Sequence, residues 1–358
     1  MSTKISIGIN LQSGSWGGSN QFGHSLSTYL EEKGFKVFFD LTEPDLDIIL
    51  LTDPRSDLIS SAYSDVDILE YLRYRNRKAI VIHRINECDE RKQTQGVNET
   101  LIKANKCADH TIFIASWLQN LFISHGIKCI SSSVILNGSN SVIYNSNGYV
   151  KWNRKAPIKI ISHHWSNNWL KGFDIYERLD TMLDKSYWQK KIEFTYVGNL
   201  PLGFKFRNTN YISPKYGKEL SNILQSHHIY LTASRNEPAG MHHIEGAMSG
   251  LPILYIHSGA FPEYCDGFGI SFTTKNFEEK LQNMLETYDN WINKISKYPH
   301  TAEKMNREYY SLFINLMKKK DEIVARRKPL PKISLSDKMS YYYGNFAKSI
   351  KNSVKSKE

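Results

Sequence analysis

Residues 229–252 read Ile-Tyr-Leu-Thr-Ala-Ser-Arg-Asn-Glu-Pro-Ala-Gly-Met-His-His-Ile-Glu-Gly-Ala-Met-Ser-Gly-Leu-Pro, and this stretch decides the fold. Its strand-like start leads into a tight turn around Gly240, and a helix-like segment ending in Gly-Leu-Pro follows. In α/β proteins such an arrangement holds phosphates and sugars, because backbone N–H groups and the helix dipole converge there. Glu237 and Glu245 lie beside the turn, where carboxylates can accept hydrogen bonds from sugar hydroxyls.

Strand-like and helix-like segments alternate along both halves of the chain. Short apolar runs at 47–52 and 79–83 are typical of strands that are buried on both faces, and 253–256 is a further predicted strand. A polar stretch at 145–157 is the predicted linker. The alternation on each side of it predicts an α/β protein with two doubly wound parallel sheets. Ligands of such sheets bind beyond the carboxyl ends of the strands.

Composition and charge limit the classes of protein to which the chain can belong. The 358 residues suffice for two domains, and a hydrophobic fraction of 41% indicates a folded chain. The net charge is +10, but residues 318–358 carry twelve Lys or Arg against four Asp or Glu, a surplus of +8. The basic character therefore belongs to the tail, and no nucleic-acid partner is expected.

Other features predict a cytoplasmic protein without a metal site. No apolar run approaches the roughly 20 residues that span a bilayer, and the start of the chain lacks a secretory apolar core. The four cysteines are scattered, so a disulfide framework is not expected. Three histidine pairs, at 163–164, 227–228 and 242–243, lack a third ligand at a recognisable spacing.

The two-glutamate stretch resembles the Glu-x7-Glu motif of family 4 retaining glycosyltransferases, which have the GT-B fold. Residues 237–240 match its first half and residues 245–252 its second, while Lys-Gly-Phe-Asp at 171–174 resembles the family's Lys-Gly-x-Asp. The resemblance implies two Rossmann-like domains that face each other across a cleft. Residues 1–150 would form the acceptor-side domain, residues 151–330 the nucleotide-sugar domain, and residues 331–358 a basic C-terminal helix or tail.

The resemblance also implies an activity. A sugar would move from a nucleoside-diphosphate sugar to a hydroxyl of a glycan, lipid-linked glycan or protein glycan, with retention of the anomeric configuration. Neither a cofactor nor a metal is implied. Two other interpretations stay open: a sugar-nucleotide epimerase or hydrolase on the same fold, and a non-catalytic scaffold that binds a glycan or a partner protein.

By the same resemblance, residues after the C-terminal strands bind the donor. Glu245 is expected on the nucleotide ribose, Glu237 beside the donor sugar and its anomeric carbon, and Lys171 on the diphosphate. Gly240 and Met241 are expected to contact the donor through the turn. A lysine just before a helix is unfavourable unless an anion joins it, which is a separate physical reason to expect a ligand at Lys171.

Two segments of the first half are expected to contribute as well. In the loop after the first strand, Gly17 and Gly18 let the backbone approach the donor, and Trp16 and Asn20 are predicted on the acceptor side.

The second segment is the charged stretch 82–92. His83, a predicted catalytic residue, matches a family histidine by position only. Asn86, Asp89 and Arg91 are predicted on the acceptor side. The acidic side chains of the stretch could orient hydroxyls, while Arg84, Arg91 and Lys92 could offset a diphosphate.

One family feature is missing from the sequence. The family usually has an arginine six residues before the diphosphate lysine, and this chain has Trp165 there. Arg84 and Arg235 are the predicted substitutes for that second cation. The departure is also the best sequence argument for a non-catalytic scaffold.

The basic tail has apolar residues at helical spacing from Met339 to Val354. One interpretation is a C-terminal helix that packs back on the N-terminal domain. The other is an amphipathic helix on an anionic membrane surface, which would make the protein peripheral at a membrane.

Overall fold

The computed structural model describes residues 2–12, 18–327, 329–336, 339, 342–343 and 346. The chain divides into two compact units. The first comprises residues 1–89, 94–136 and 305–358, and the second comprises residues 90–93 and 137–304.

The first unit is built on six parallel strands, namely β1 (Lys4–Ile7), β2 (Lys36–Phe38), β3 (Ile48–Leu51), β4 (Ile80–Ile85), β5 (His110–Phe113) and β6 (Ser132–Val134). Their order across the sheet is β2-β1-β3-β4-β5-β6. Its first helices are α1 (Gly18–Glu32), α2 (Asp65–Tyr74), α3 (Val97–Ala104) and α4 (Ser116–Ser124).

Apolar central strands explain this arrangement. Every residue of β3 and β4 is buried, as expected of parallel strands with helices on both faces. One face packs on α1, through Phe22 and Leu26. The other packs on α2, whose first turn is closed by a reciprocal cap between Ser64 and Asp67.

The second unit repeats the plan with β7 (Ile158–His164), β8 (Ile192–Gly198), β9 (Asn210–Ile212), β10 (Ile229–Thr232), β11 (Ile253–Ile256) and β12 (Gly269–Phe272). Its helices are α5 (Phe173–Met182), α6 (Ser186–Gln189), α7 (Gly217–Gln225), α8 (His242–Met248), α9 (Phe261–Cys265) and α10 (Phe277–Ile295). The strand order is β12-β11-β10-β7-β8-β9. The direction of winding therefore reverses between β7 and β10, which is where ligands bind in sheets of this kind.

Two further helices follow, α11 (Ala302–Lys318) and α12 (Lys320–Arg326). From Met305 onward α11 belongs to the first unit, and its Tyr309 and Phe313 are buried in that unit's core. After α12, Arg327 donates from Nε to Asp109 Oδ1 at 2.9 Å, and the two side chains are 6% and 3% exposed. This buried ion pair fastens the end of α12 to the amino end of β5.

The two parallel sheets confirm the predicted α/β class. The predicted strand at 79–83 continues to Ile85, so His83 lies within β4 and not at its end. Both interpretations of the tail remain predictions, because most of residues 337–358 lie outside the described residues. Among the helices that are described, none is long and apolar enough to cross a membrane.

Candidate active site

Lys171 lies just after β7, at the point where the second sheet reverses its winding. It ends the short 3-10 helix Trp169–Lys171, and Gly172 follows with a φ of 98°. A Cβ on Gly172 would lie 2.4 Å from the Cβ of Ala233, so only glycine lets this segment approach the end of β10 so closely. The backbone N–H of Arg235 also donates to the carbonyl of Leu170 at 2.8 Å. The turn after β7 and the turn after β10 are therefore held together.

Glu237 is the centre of a buried charge cluster in the turn after β10. Its side chain is 1% exposed and forms an ion pair with Lys171, whose side chain is 5% exposed. Ser234 donates from its hydroxyl to Oε2 at 2.8 Å. Arg91 places Nε 3.1 Å from Oε1. One carboxylate thus lies between two cations.

These neighbours control the ionisation of Glu237. Burial by itself raises the pKa of the carboxyl group, but the charges of Arg91 and Lys171 and the hydrogen bonds from Lys171 and Ser234 outweigh it. The pKa of Glu237 therefore lies well below its ordinary value. Glu237 is an anion throughout the physiological pH range.

A second loop fixes the backbone of Glu237. The N–H of Ala260 donates to the carbonyl of Glu237 at 2.9 Å, and the N–H of Asn236 donates to Ser258 Oγ at 3.0 Å. Gly259, with a φ of 59°, lies so close that a Cβ would be 2.5 Å from both the N and the O of Glu237. Ser258 to Ala260 therefore hold the backbone of this turn in place.

Glu245 lies in α8 and is also buried. Its Oε2 is 2.9 Å from His163 Nε2 at the end of β7, and Tyr230 OH lies 3.1 Å from the other ring nitrogen of His163. Gly240 and Met241 occupy the turn that leads into α8, and both are partly exposed. The predicted donor residues of this stretch thus surround the turn between β10 and α8.

Buried histidines fill the space behind these carboxylates. The rings of His164 and His242 lie 4.4 Å apart, and burial lowers the pKa of both well below the ordinary value. Burial likewise lowers the pKa of His243 to about 3. These rings are neutral at pH 7 and pack as aromatic groups. No group of three or more His, Cys, Asp or Glu within the described ranges could hold a metal ion.

The two predicted substitutes for the missing arginine have other partners. Arg235 forms an ion pair with Asp174 in the first turn of α5. Arg84 lies in the first unit, where its Nε donates to Tyr309 OH at 3.0 Å and its guanidinium carbon is 4.0 Å from the centre of the Phe22 ring.

His83 and Asp89 also belong to the first unit. His83 is fully buried within β4, with Nδ1 3.0 Å from Asn105 Oδ1, and burial lowers its pKa to about 4. Asp89 accepts from the N–H groups of Val97 at 3.1 Å and Asn98 at 2.9 Å, so it closes the start of α3.

Three further predicted residues of the first half, Gly18, Asn20 and Asn86, lie within the described residues. Asn86 follows β4 and is partly exposed. Asn20, in α1, accepts from the Gln12 N–H at 2.8 Å and donates to the Gln12 carbonyl at 3.0 Å. Gly18 begins α1, whereas Trp16 and Gly17 lie outside the described residues.

The structure brings together Lys171, Glu237 and Arg91, the last of which was predicted on the acceptor side. Two residues that contact the predicted glutamates were not predicted, namely Ser234 and His163. The adjacency of β7 and β10 is what brings His163 to Glu245, and no pattern in the sequence states the order of strands.

Comparisons with known proteins give matches in structure but not in sequence. No family model and no curated protein matches the chain by sequence. Sucrose-phosphate synthase from Thermosynechococcus elongatus is 12% identical, with a TM-score of 0.63, over 88% of this chain and 98% of its own. HepE from Anabaena, solved in complex with UDP and glucose, is 14% identical, with a TM-score of 0.62, over 88% of this chain and 100% of its own. A glycosyltransferase from Rickettsia africae is 12% identical, with a TM-score of 0.64, over 88% of this chain and 99% of its own.

These proteins have the GT-B fold, and the likeness in structure shows that this chain has it too. The predicted GT-B fold, with two Rossmann-like domains, is therefore confirmed.

Proposed function

We propose that this protein is a retaining glycosyltransferase of the family 4 type. It moves a sugar from a nucleoside-diphosphate sugar to a hydroxyl of a carbohydrate or glycoconjugate. The observation that carries the proposal is the buried ion pair of Lys171 with Glu237 beside the point where the second sheet reverses its winding. HepE, which shares the fold, was solved with UDP and glucose, which supports a nucleotide-sugar donor.

The proposed mechanism rests on positioning and electrostatics. Lys171 offsets the charge that develops on the leaving diphosphate. Glu237, kept ionised by its neighbours, binds hydroxyls of the donor sugar beside the anomeric carbon. Glu245 accepts hydrogen bonds from the ribose, and His163 orients that carboxylate. Because side-chain cations take up the charge, the proposed reaction needs neither a metal nor a cofactor.

The acceptor side is proposed from the sequence alone. Trp16, Asn20, Asn86, Asp89 and Arg91 are the predicted contacts, and His83 is a predicted catalytic residue whose pKa burial lowers to about 4.

A cytoplasmic location and peripheral membrane contact through the basic tail are also proposed. Flotation of the full chain with anionic vesicles, compared with a chain that ends at Leu330, tests the membrane contact. Equal flotation of the two would exclude a role for the tail.

A thermal-shift panel of UDP, GDP, ADP and their common sugar conjugates, run with EDTA, tests the donor class. A ligand that binds only the folded state at 100 times its Kd stabilises it by about 2.7 kcal/mol. We expect a shift with one base, and Glu245→Gln should abolish it. Glu193→Gln is the matched control, because Glu193 is an exposed residue of β8.

Each outcome of the panel points to one interpretation. A shift lost only in Glu245→Gln supports the proposed donor site, and a product anomer that matches the donor supports retention. The absence of any shift in the wild type refutes the nucleotide-sugar proposal and favours a binding scaffold. Turnover of the donor without any acceptor favours an epimerase or hydrolase.

A further inference from the structure

His163, near the end of β7, contacts both Glu245 and Tyr230. Its Nε2 lies 2.9 Å from Glu245 Oε2 in α8, and its Nδ1 lies 3.1 Å from Tyr230 OH in β10. All three residues are at most 5% exposed. Their donors and acceptors must therefore match one another, because little water is at hand to satisfy an atom that is left over.

Tyr230 determines which nitrogen of the His163 ring carries the proton. The backbone N–H of His163 donates to Tyr230 OH at 3.3 Å, and burial raises the pKa of Tyr230, so the hydroxyl keeps its own proton. The shorter of the two contacts open to that proton is His163 Nδ1 at 3.1 Å, against 3.4 Å for the His163 carbonyl. Nδ1 is then an acceptor, and the ring proton lies on Nε2, from which it is donated to Glu245.

Gly246, the residue after Glu245, lets α8 pack directly on the ring of Tyr230. A Cβ on Gly246 would lie 2.3 Å from Tyr230 Cδ2 and 2.5 Å from Tyr230 Cγ. The same ring meets His163 at a steep angle, with centroids 5.5 Å apart and an interplanar angle of 76°. One aromatic ring thus spaces the imidazole from the backbone that carries Glu245.

We propose that His163 and Tyr230 hold Glu245 so that it presents one carboxylate oxygen to the donor, and that the ribose is therefore recognised through one hydroxyl. The inference rests on the proposed function and deepens it, because it states which nucleosides the site accepts. Oε2 is engaged by His163 Nε2, whereas no residue that the structure describes donates a hydrogen bond to Oε1.

The two hydroxyls of a ribose differ in this arrangement. A carboxylate that has both oxygens open can accept from the 2′-OH with one oxygen and from the 3′-OH with the other. With Oε2 turned to the buried imidazole, only one of these hydroxyls reaches an open oxygen of Glu245. His163 and Tyr230 act through Glu245, as positioning residues.

Titration calorimetry with three nucleoside diphosphates tests this selectivity. The ligands are UDP, GDP or ADP, whichever the panel identifies, and the 2′-deoxy and 3′-deoxy analogues of that nucleotide. In the wild type one analogue should bind about tenfold more weakly than the ribonucleotide, because it lacks a hydrogen bond to a charged group. The other analogue should bind within about twofold of the ribonucleotide.

Variants of His163 separate positioning from a structural role, which would weaken all three ligands alike. His163→Leu should abolish the difference between the two analogues, whereas His163→Gln should retain part of it, because its amide N–H can still donate to Oε2. His227→Leu is the matched control, since His227 is also buried, with Nε2 2.9 Å from Thr195 Oγ1, just before β10. It should distinguish the analogues like the wild type. A folded His163→Leu variant that still distinguishes them overturns the inference.

The position of the ring proton can be measured without any nucleotide. In nitrogen NMR spectra of the wild type, the histidine signals that disappear in His163→Gln should show a proton on Nε2 and none on Nδ1. Tyr230→Phe retains the ring beside Gly246 and removes only the hydroxyl. It should give a mixture of the two tautomers and a smaller difference between the analogues. A proton on Nδ1 of the wild type overturns the inference.

Failure of the inference can be told from failure of the proposed function. If the wild type binds the ribonucleotide but gives equal affinities for the two analogues, the inference fails and the proposed function stands. If the wild type binds no nucleotide of the panel, both fail, whichever nitrogen of His163 carries the proton.

Discussion

Replacement of Gly259 by alanine tests whether the loop after β11 determines the position of Glu237. Gly259 has a φ of 59°, and a Cβ there would lie 2.5 Å from the N and the O of Glu237 and 3.0 Å from the carbonyl carbon of Asn236. These are backbone atoms, so no side-chain rotation relieves the contact. One of the two loops must therefore move by about 1 Å to reach an ordinary contact distance.

The energy of this change has two parts that a control can separate. A left-handed backbone costs a residue with a Cβ about 1 kcal/mol. Overpacking against fixed atoms typically adds 1 to 3 kcal/mol, so Gly259→Ala should lower the free energy of unfolding by about 2 to 4 kcal/mol. Gly267→Ala is the control, because Gly267 has a φ of 81° and nothing within 4 Å of its would-be Cβ. It should cost about 1 kcal/mol.

Urea denaturation of both variants measures the stability part, and turnover measures the functional part. A displacement of about 1 Å at a reacting group can lower a rate by about a hundredfold. We therefore expect such a loss in Gly259→Ala and turnover close to the wild type in Gly267→Ala. Equal stability of the two variants, together with normal turnover in Gly259→Ala, would refute the reasoning.

Two further predictions concern stability. Arg327→Met should lower the free energy of unfolding by about 3 to 5 kcal/mol, because it leaves Asp109 buried without its cation. Arg207→Met, the control, removes an exposed partner of Asp184 and should cost less than about 1 kcal/mol. Similar losses of the two variants in urea denaturation would contradict this prediction. Since burial lowers the pKa of His83 from 6.5 to about 4, the unfolded state binds the proton more readily, and stability present above pH 6.5 is lost as the pH falls towards 4. Between pH 7 and pH 5 the titration of His83 should lower the free energy of unfolding of the wild type by about 2 kcal/mol. His83→Gln should therefore lose about 2 kcal/mol less than the wild type over this interval. The same pH dependence in both proteins would refute the prediction.

Much of the fold could be predicted from local patterns. The apolar runs of β3 and β11 mark strands that are buried on both faces, and the run from 229 to 252 marks a strand, a turn and a helix. Short edge strands carry a weaker signal. β9 (Asn210–Ile212) has no buried residue, so neither apolar content nor alternation distinguishes it from a loop.

The candidate site was predictable only in part. Glu237, Glu245 and Lys171 stand in motifs whose spacing is local, so the sequence alone identifies them. The partner of Glu245 is His163, which is 82 residues away in the chain. Such a pairing depends on which strands are neighbours, and the sequence does not state the strand order.

Arg91 likewise separates what the sequence predicts from what only the tertiary structure decides. The sequence by itself determined that residues 82–92 carry many charges after a buried strand, and that Trp165 leaves one cation of the family pattern missing. Only the tertiary structure decided that Arg91, rather than Arg84, lies against Glu237. Periodicity and spacing act over one helix or strand, whereas an ion pair between residues 91 and 237 depends on the path of the whole chain. Long-range packing, not local preference, therefore determines which charges meet at the site.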